Sequence, residues 1–128
     1  KSYRYTLQGV AEDEMKKACD KDAATTCFVE GDKLIIDLGG ERTITSFHYL
    51  PDQSEYNKGL ISSYEIAVGM EENAINNVVK QGEFSNIKHN PILQSVYFTP
   101  INARYISLKP TKMVNEGEQM GFAEIAIR

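Results

Sequence analysis

Short stretches in which apolar and polar residues alternate constrain the fold of this 128-residue chain more than any other feature. In one of them, Tyr64, Ile66 and Val68 share one side. Successive side chains of a β-strand point to opposite faces of a sheet, so this pattern is typical of strands with one buried face. Many short strands with turns between them predict an antiparallel β-sandwich or a partly open barrel.

Five further stretches repeat the pattern, and turn residues lie between them. The stretches are 33–38, 42–50, 96–98, 104–108 and 122–127, and the turn residues are Gly39-Gly40, Pro51, 57–59, Asn90-Pro91 and Pro100. Glycine, proline and asparagine favour turn conformations, so we expect each of these positions to separate two strands. The segment from Ala11 to Cys19 has a helical pattern. We therefore expect one short helix around 11–18, with the two chain ends close together.

Length and charge limit the classes of protein to which the chain can belong. A length of 128 residues fits one domain, 1–128, with a core of its own. The net charge of -4 argues against nucleic acid or an anionic membrane as partner, because both select basic patches. No run of eighteen apolar residues is present, so we expect no membrane span. The chain starts in a strand-like stretch without a signal-peptide pattern, and we interpret it as a monomeric module of a longer protein.

The two histidines, His48 and His89, lie in no spacing typical of a metalloprotease or a nucleophile elbow. His48 stands between Phe47 and Tyr49 in a strand-like stretch, where we expect a hydrogen-bonded structural histidine rather than a base. The sequence also contains no glycine-rich phosphate loop. This absence of catalytic motifs favours a binding function over an enzymatic one.

The two cysteines, Cys19 and Cys27, match no zinc-binding spacing. Their small and apolar neighbours favour buried free thiols. A short-loop disulfide is the alternative in an oxidising compartment.

Oxygen ligands suited to a metal ion are concentrated in the stretch 18–25. Asp20, Asp22 and Thr25 supply two carboxylates and a hydroxyl, and Glu124 supplies a remote carboxylate near the other end of the chain. Calcium takes about six to eight oxygen ligands, which a single short loop rarely supplies alone. These residues predict a cation site. A solvated loop, or a turn in which an aspartate bonds its own backbone, is the alternative.

Six segments, taken in order along the chain, resemble the coagulation factor 5/8 type C (discoidin) domain. They are 18–25, 34–39, 44–51, 61–68, 103–108 and 122–125, with Lys21 where the family usually has glycine. The resemblance implies an all-β fold, an antiparallel jelly-roll β-sandwich of the galactose-binding-domain-like type. Within the family, the chain is most similar to the bacterial carbohydrate-binding module family 32.

The resemblance further implies one structural calcium ion. Carried over residue by residue, its ligands are the carbonyls of Lys17 and Ala123 and the side chains of Asp20, Asp22, Thr25 and Glu124. Such an ion would hold the segment near the start of the chain against the segment near its end.

A sugar site in the loops at one end of the sandwich is also implied. Asp52 occupies the position of an arginine that galactose-binding members use, whereas Asn57 keeps their asparagine. The chain has no tryptophan, so Tyr56 and Phe122 are the candidate platforms for a sugar ring, with core packing as the alternative for Phe122. The expected ligand-binding residues are Asp52, Gln53, Tyr56, Asn57, Glu118 and Phe122.

The absence of catalytic motifs favours a binding function, and the resemblance implies a non-catalytic carbohydrate-binding module. The resemblance implies a glycan partner with galactose- or N-acetylhexosamine-type sugars. It also implies a glycoside hydrolase catalytic domain in the same chain, and a secreted, periplasmic or cell-surface location. The alternative function is a discoidin-type module that adheres to a protein or a cell surface without binding sugar.

Overall fold

The computed structural model describes residues 3–8, 27–29, 32–51, 59–84 and 92–128. All regular elements in these residues are β-strands. They are β1 (Thr6–Gln8), β2 (Cys27–Phe28), β3 (Leu34–Leu50), β4 (Ile61–Gly69), β5 (Asn77–Glu83), β6 (Gln94–Met113), β7 (Gly121–Phe122) and β8 (Glu124–Ile127). The helix expected around 11–18 lies outside the described residues. In the described part of the chain, no helix has the length and apolar character that crossing a membrane requires.

Every pairing between the described strands is antiparallel, and the long strand β3 changes partners along its length. The larger hydrogen-bonded sheet has the strand order β1-β3-β6-β4-β5, and β8 pairs with β3 outside this order. The first part of β3 pairs with β1, whereas its last part, Phe47 to Leu50, pairs with β8. The short strands β2 and β7 pair separately. The expectation of an antiparallel β-sandwich is thereby confirmed.

Two of the expected turns are wrong, because β3 and β6 continue through them. Gly39-Gly40 lies inside β3, where the pairing with β6 shifts between Asp37 and Arg42. Gly39 has a φ of 80°, and its N–H donates to Asp37 Oδ1 at 2.8 Å, so the glycine supplies a bulge rather than a hairpin. Pro100 lies inside β6 beside another register shift, where a residue without an N–H is tolerated.

The core lies between the layers and follows the predicted alternation. Fully buried side chains include Leu34, Ile36, Phe47, Tyr49, Ile66, Ile106, Leu108 and Ile127. Three aromatic rings stack in series within it, with the centroid of Phe84 5.0 Å from that of Tyr49 and 4.4 Å from that of Tyr64. Burying such rings supplies a large share of a core's stabilisation.

Residues from opposite ends of the chain meet at the last strand, as expected. The Tyr3 N–H donates to the Ile127 carbonyl at 2.8 Å, and the Tyr5 hydroxyl donates to the Ile125 carbonyl at 2.7 Å.

Candidate functional site

A buried joint connects the two segments that flank the predicted sugar loop. The hydroxyl of Tyr49, near the end of β3, donates to the Gly121 carbonyl at 2.7 Å and lies 3.4 Å from the Gly59 carbonyl. The Gly121 N–H in turn donates to the Gly59 carbonyl at 3.1 Å. Gly59 closes the segment between β3 and β4, and Gly121 begins β7. We call Tyr49, Gly59, Glu118 and Gly121 the loop-end joint.

Position 59 accepts only glycine in this arrangement. Its φ is 73°, which favours glycine, and a Cβ at this position would lie 2.8 Å from Gly121 Cα and 2.9 Å from the Gln119 carbonyl oxygen. The close approach of the two backbones therefore depends on the absence of a side chain.

Glu118, one of the expected sugar ligands, is part of the loop-end joint. Its Oε1 accepts a hydrogen bond from the Gly59 N–H at 2.7 Å. A hydrogen bond from a backbone N–H to a carboxylate is stronger than one between neutral groups. The local sequence does not reveal this role, because Glu118 and Gly59 are 59 positions apart. Direct contact between Glu118 and a sugar stays a prediction.

Phe122 does not provide a stacking surface, and this expectation is corrected. The residue is 0% exposed and belongs to the core cluster. Its backbone pairs with Cys27 in the β2–β7 ladder. A sugar ring needs an open aromatic face, so core packing is the role that the structure gives to Phe122. The signal was nonlocal, because the pairing of β7 with a strand from the other end of the chain is not visible in the sequence around Phe122.

The other expected sugar ligands, Asp52, Gln53, Tyr56 and Asn57, lie outside the described residues. Pro51 and Gly59, which flank them, are both buried.

Two of the expected calcium ligands, Ala123 and Glu124, lie where the ends of the chain meet. The Ala123 N–H donates to the Leu50 carbonyl at 2.8 Å, and Glu124 is a partly exposed residue of β8. Phe122, directly before them, pairs with Cys27 at the start of β2. Lys17, Asp20, Asp22 and Thr25 lie outside the described residues, as does Cys19. Within the described ranges alone, no group of three metal-ligating side chains occurs.

His48 has the structural role that the sequence indicates. It is 5% exposed, and its two ring nitrogens lie 2.8 Å from the hydroxyls of Ser46 and Ser95. Burial lowers the pKa of the imidazole, and the positive charge of Arg128 lowers it further. The ring edge also packs against Tyr97, with the centroids 5.9 Å apart. His89 lies outside the described residues.

A known family model matches most of the chain. The model of the F5/8 type C domain matches residues 12–126. The chain belongs to the F5/8 type C domain family. A search of curated proteins gave no significant match.

Solved structures of family 32 carbohydrate-binding modules resemble this F5/8 type C domain over nearly its whole length. CpGH89CBM32-5 from Clostridium perfringens, in complex with GalNAc-β-1,3-galactose, has 21% identity and a TM-score of 0.77, covering 97% of this chain and 93% of its own. The family 32 module of C. perfringens NanJ, in complex with galactose, has 22% identity and a TM-score of 0.74, with coverage of 97% and 91%. CBM32-3 from a family 31 glycoside hydrolase of C. perfringens has 20% identity and a TM-score of 0.74, with coverage of 99% and 88%. At these identities, the likeness establishes the fold.

Proposed function

We propose that this domain is a non-catalytic carbohydrate-binding module whose sugar site lies in the loop between β3 and β4. The observation that carries the proposal is the loop-end joint. Its three hydrogen bonds fix Gly59, the first described residue after the segment 52–58: they run from Gly59 to Glu118, from Gly121 to Gly59 and from Tyr49 to Gly121. A fixed residue beside a binding segment lowers the loss of entropy when that segment binds a ligand. Galactose-containing ligands in two similar modules support the same proposal.

The chemistry of the loop residues suits a sugar hydroxyl and a ring face. The Asn57 amide both donates and accepts hydrogen bonds, and Tyr56 has the flat apolar surface that packs on a pyranose. Asp52 as a carboxylate only accepts hydrogen bonds, in contrast to arginine, which only donates them. We therefore propose a galactose- or N-acetylhexosamine-type ligand, with hydroxyl recognition altered at the Asp52 position.

Titration with sugars tests this site. Galactose, N-acetylgalactosamine, N-acetylglucosamine and fucose are added to the isotopically labelled domain while the amide signals of Gly59, Glu118 and Gly121 are followed. We expect at least one sugar to shift these signals, and Asn57→Ala to abolish the shifts. Asn77→Ala, at an exposed position of β5, is the matched control. No shift with any of the four sugars at millimolar concentration would overturn the proposal.

Adhesion to a protein is the second candidate, and one observation favours it. Ile92, Leu93 and Tyr97 are between 53% and 67% exposed at the start of β6, which is a large apolar exposure for so short a segment. If every sugar fails, this surface becomes the first place to mutate in a cell-adhesion assay.

The proposal extends to the rest of the protein. We propose that the module is monomeric, outside the cytoplasm, and joined to a glycoside hydrolase catalytic domain that it holds near its glycan. Sedimentation of the isolated domain tests its monomeric state. Fractionation of producing cells, followed by immunoblotting, tests the location and reveals the size of the full chain.

We also propose one structural calcium ion at the meeting point of the chain ends. The donor set fits, since Asp20, Asp22 and Glu124 are carboxylates and calcium prefers oxygen ligands. β2 begins two residues after Thr25 and pairs with the residue that precedes Ala123 and Glu124. Bound calcium would stabilise the fold by mass action. A chelator should therefore lower the melting temperature of the wild-type domain but not that of Asp20→Ala, and an unchanged wild-type temperature would contradict the site.

A further inference from the structure

A polar cavity lies on the outer face of the sheet, with a volume of about 270 Å³. Its floor consists of Ala67 on β4 and Ser107 on β6, which are direct Cα partners. Both residues alternate with core residues and therefore face away from the core, yet each is only 4% exposed. Something on the outer side must cover them. We call this space the outer-face cavity.

One wall of the outer-face cavity consists of the turn before β5 and the start of β5. Ile75, Asn76 and Val78 line the cavity from this side. The turn is closed by a hydrogen bond from the Ala74 N–H to the Glu71 carbonyl at 3.0 Å. It folds back so closely on Gly69 that a Cβ there would collide with the Ala74 carbonyl oxygen and lie 2.9 Å from Ile75 Cα. The wall is thus a packed part of the fold.

The opposite wall brings two lysines together. Leu34 pairs with Leu108, so one further step of the antiparallel register sets Lys33 opposite Lys109, and both line the cavity. Like charges opposite each other on neighbouring strands are destabilising, and Glu65, the Cα partner of Lys109 on β4, offsets part of this repulsion. Within the described residues, the ion pair that forms joins Arg104 to Asp37, and neither lysine has a carboxylate partner within 4.0 Å.

Carboxylates that accept hydrogen bonds line the same cavity as the two lysines. Asp32 and Glu65 also line the cavity, and one Glu65 oxygen, Oε2, accepts a hydrogen bond from the Gln81 amide at 3.2 Å. A bare anion drawn to the lysines would face these two carboxylates. A ligand that combines one negative charge with several hydroxyl donors satisfies both kinds of group.

We propose that the outer-face cavity binds a single sugar ring that carries a carboxylate, a hexuronate. The carboxylate lies between the ammonium groups of Lys33 and Lys109, and ring hydroxyls contact Glu65, Asn76 and Ser107. The cavity volume of about 270 Å³ holds several water molecules and suits one sugar ring. This site is separate from the loop between β3 and β4, and its ligand differs by charge.

Titration with glucuronate, glucose and acetate tests the inference on the labelled domain. Glucuronate should shift the amide signals of Ala67, Ser107 and Lys109, glucose should bind at least tenfold more weakly, and acetate should not shift them at the same concentration. Lys109→Gln should weaken glucuronate about tenfold, because a charge-assisted hydrogen bond is lost. Lys112→Gln, an exposed lysine on the same strand outside the cavity, is the matched control.

Three results would overturn the inference. Unshifted Ala67 and Ser107 signals at millimolar glucuronate would remove the site. Equal shifts by acetate would show that the lysines attract any anion, and glucose binding as tight as glucuronate would remove the role of the charge. Shifts confined to Gly59 and Gly121 would assign glucuronate to the loop site instead. Because the loop site has its own signals and its own variant, Asn57→Ala, failure of either proposal is recognised separately.

Discussion

The loop-end joint and the outer-face cavity use polar side chains in opposite ways. At the joint, Tyr49 and Glu118 bond to backbone groups of two glycines, Gly59 and Gly121. At the cavity, Lys33 and Lys109 face each other without an ion pair among the described residues. A polar residue near a ligand-binding loop can therefore have a purely structural role. Charged residues whose placement destabilises the fold are better candidates for ligand-binding residues.

Gly59→Ala is the strongest way to break the loop-end joint. The substitution forces a side chain into a φ of 73° and into contact with Gly121, so we expect a loss of about 3 kcal/mol in the free energy of unfolding. Gly117→Ala is a matched control, because Gly117 has a φ of 79° but no atom within 4 Å of the place that a Cβ would take, and it should cost only about 1 kcal/mol. Urea unfolding measures both. Equal losses would mean that backbone conformation alone, and not the close approach to Gly121, explains the glycine.

Glu118→Ala should destabilise the domain less, by about 1–2 kcal/mol, because it leaves the buried Gly59 N–H without its acceptor. Glu116→Ala removes an exposed carboxylate of the same turn and should be close to neutral. If Glu118→Ala were neutral in urea unfolding but abolished sugar binding, Glu118 would be a ligand-binding residue instead of a structural one.

The sequence predicts the strands well because their pattern is local. The stretches 42–50, 64–68 and 104–108 lie within β3, β4 and β6. It fails where distant segments decide the outcome. Gly39-Gly40 signals a turn locally, yet pairing with β6 continues on both sides of it.

The candidate site shows the same division. Residue types suggest carboxylates and aromatic side chains as ligand-binding residues, but they do not reveal which of these side chains are used in structural contacts. The burial of Phe122 depends on β2, and the hydrogen bond of Glu118 depends on Gly59. The outer-face cavity was not predicted at all, since its lining comes from four separate segments of the chain.

The pH dependence of stability tests the polar cluster around His48. The folded-state pKa of His48 lies below its unfolded value, so folding favours the neutral ring. Stability from this group is complete above the unfolded pKa of about 6.5 and is lost as the pH falls from there through the folded pKa. Urea unfolding is measured at pH 7.5 and at pH 5, each about one unit or more from the unfolded pKa. Wild type and His89→Asn should both lose stability between these two pH values. The loss should be smaller for His48→Asn, and an unchanged pH dependence in that variant would contradict the assignment.

Lys33→Gln should change the free energy of unfolding least, and it should stabilise the domain instead of destabilising it. Removing the charge of Lys33 relieves its repulsion with Lys109 on the neighbouring strand, so we expect the free energy of unfolding to rise by about 0.2–0.5 kcal/mol at low salt. High salt screens exposed charges, so the gain should disappear near 1 M sodium chloride, where the Debye length is about 3 Å. Lys112→Gln, whose Cα partner is Ser63, should show no such gain.

The same Lys33→Gln variant should bind glucuronate more weakly, so stability and binding would move in opposite directions. A loss of stability in Lys33→Gln would mean that the lysine supports the sheet, and the contrast between the outer-face cavity and the loop-end joint would no longer hold.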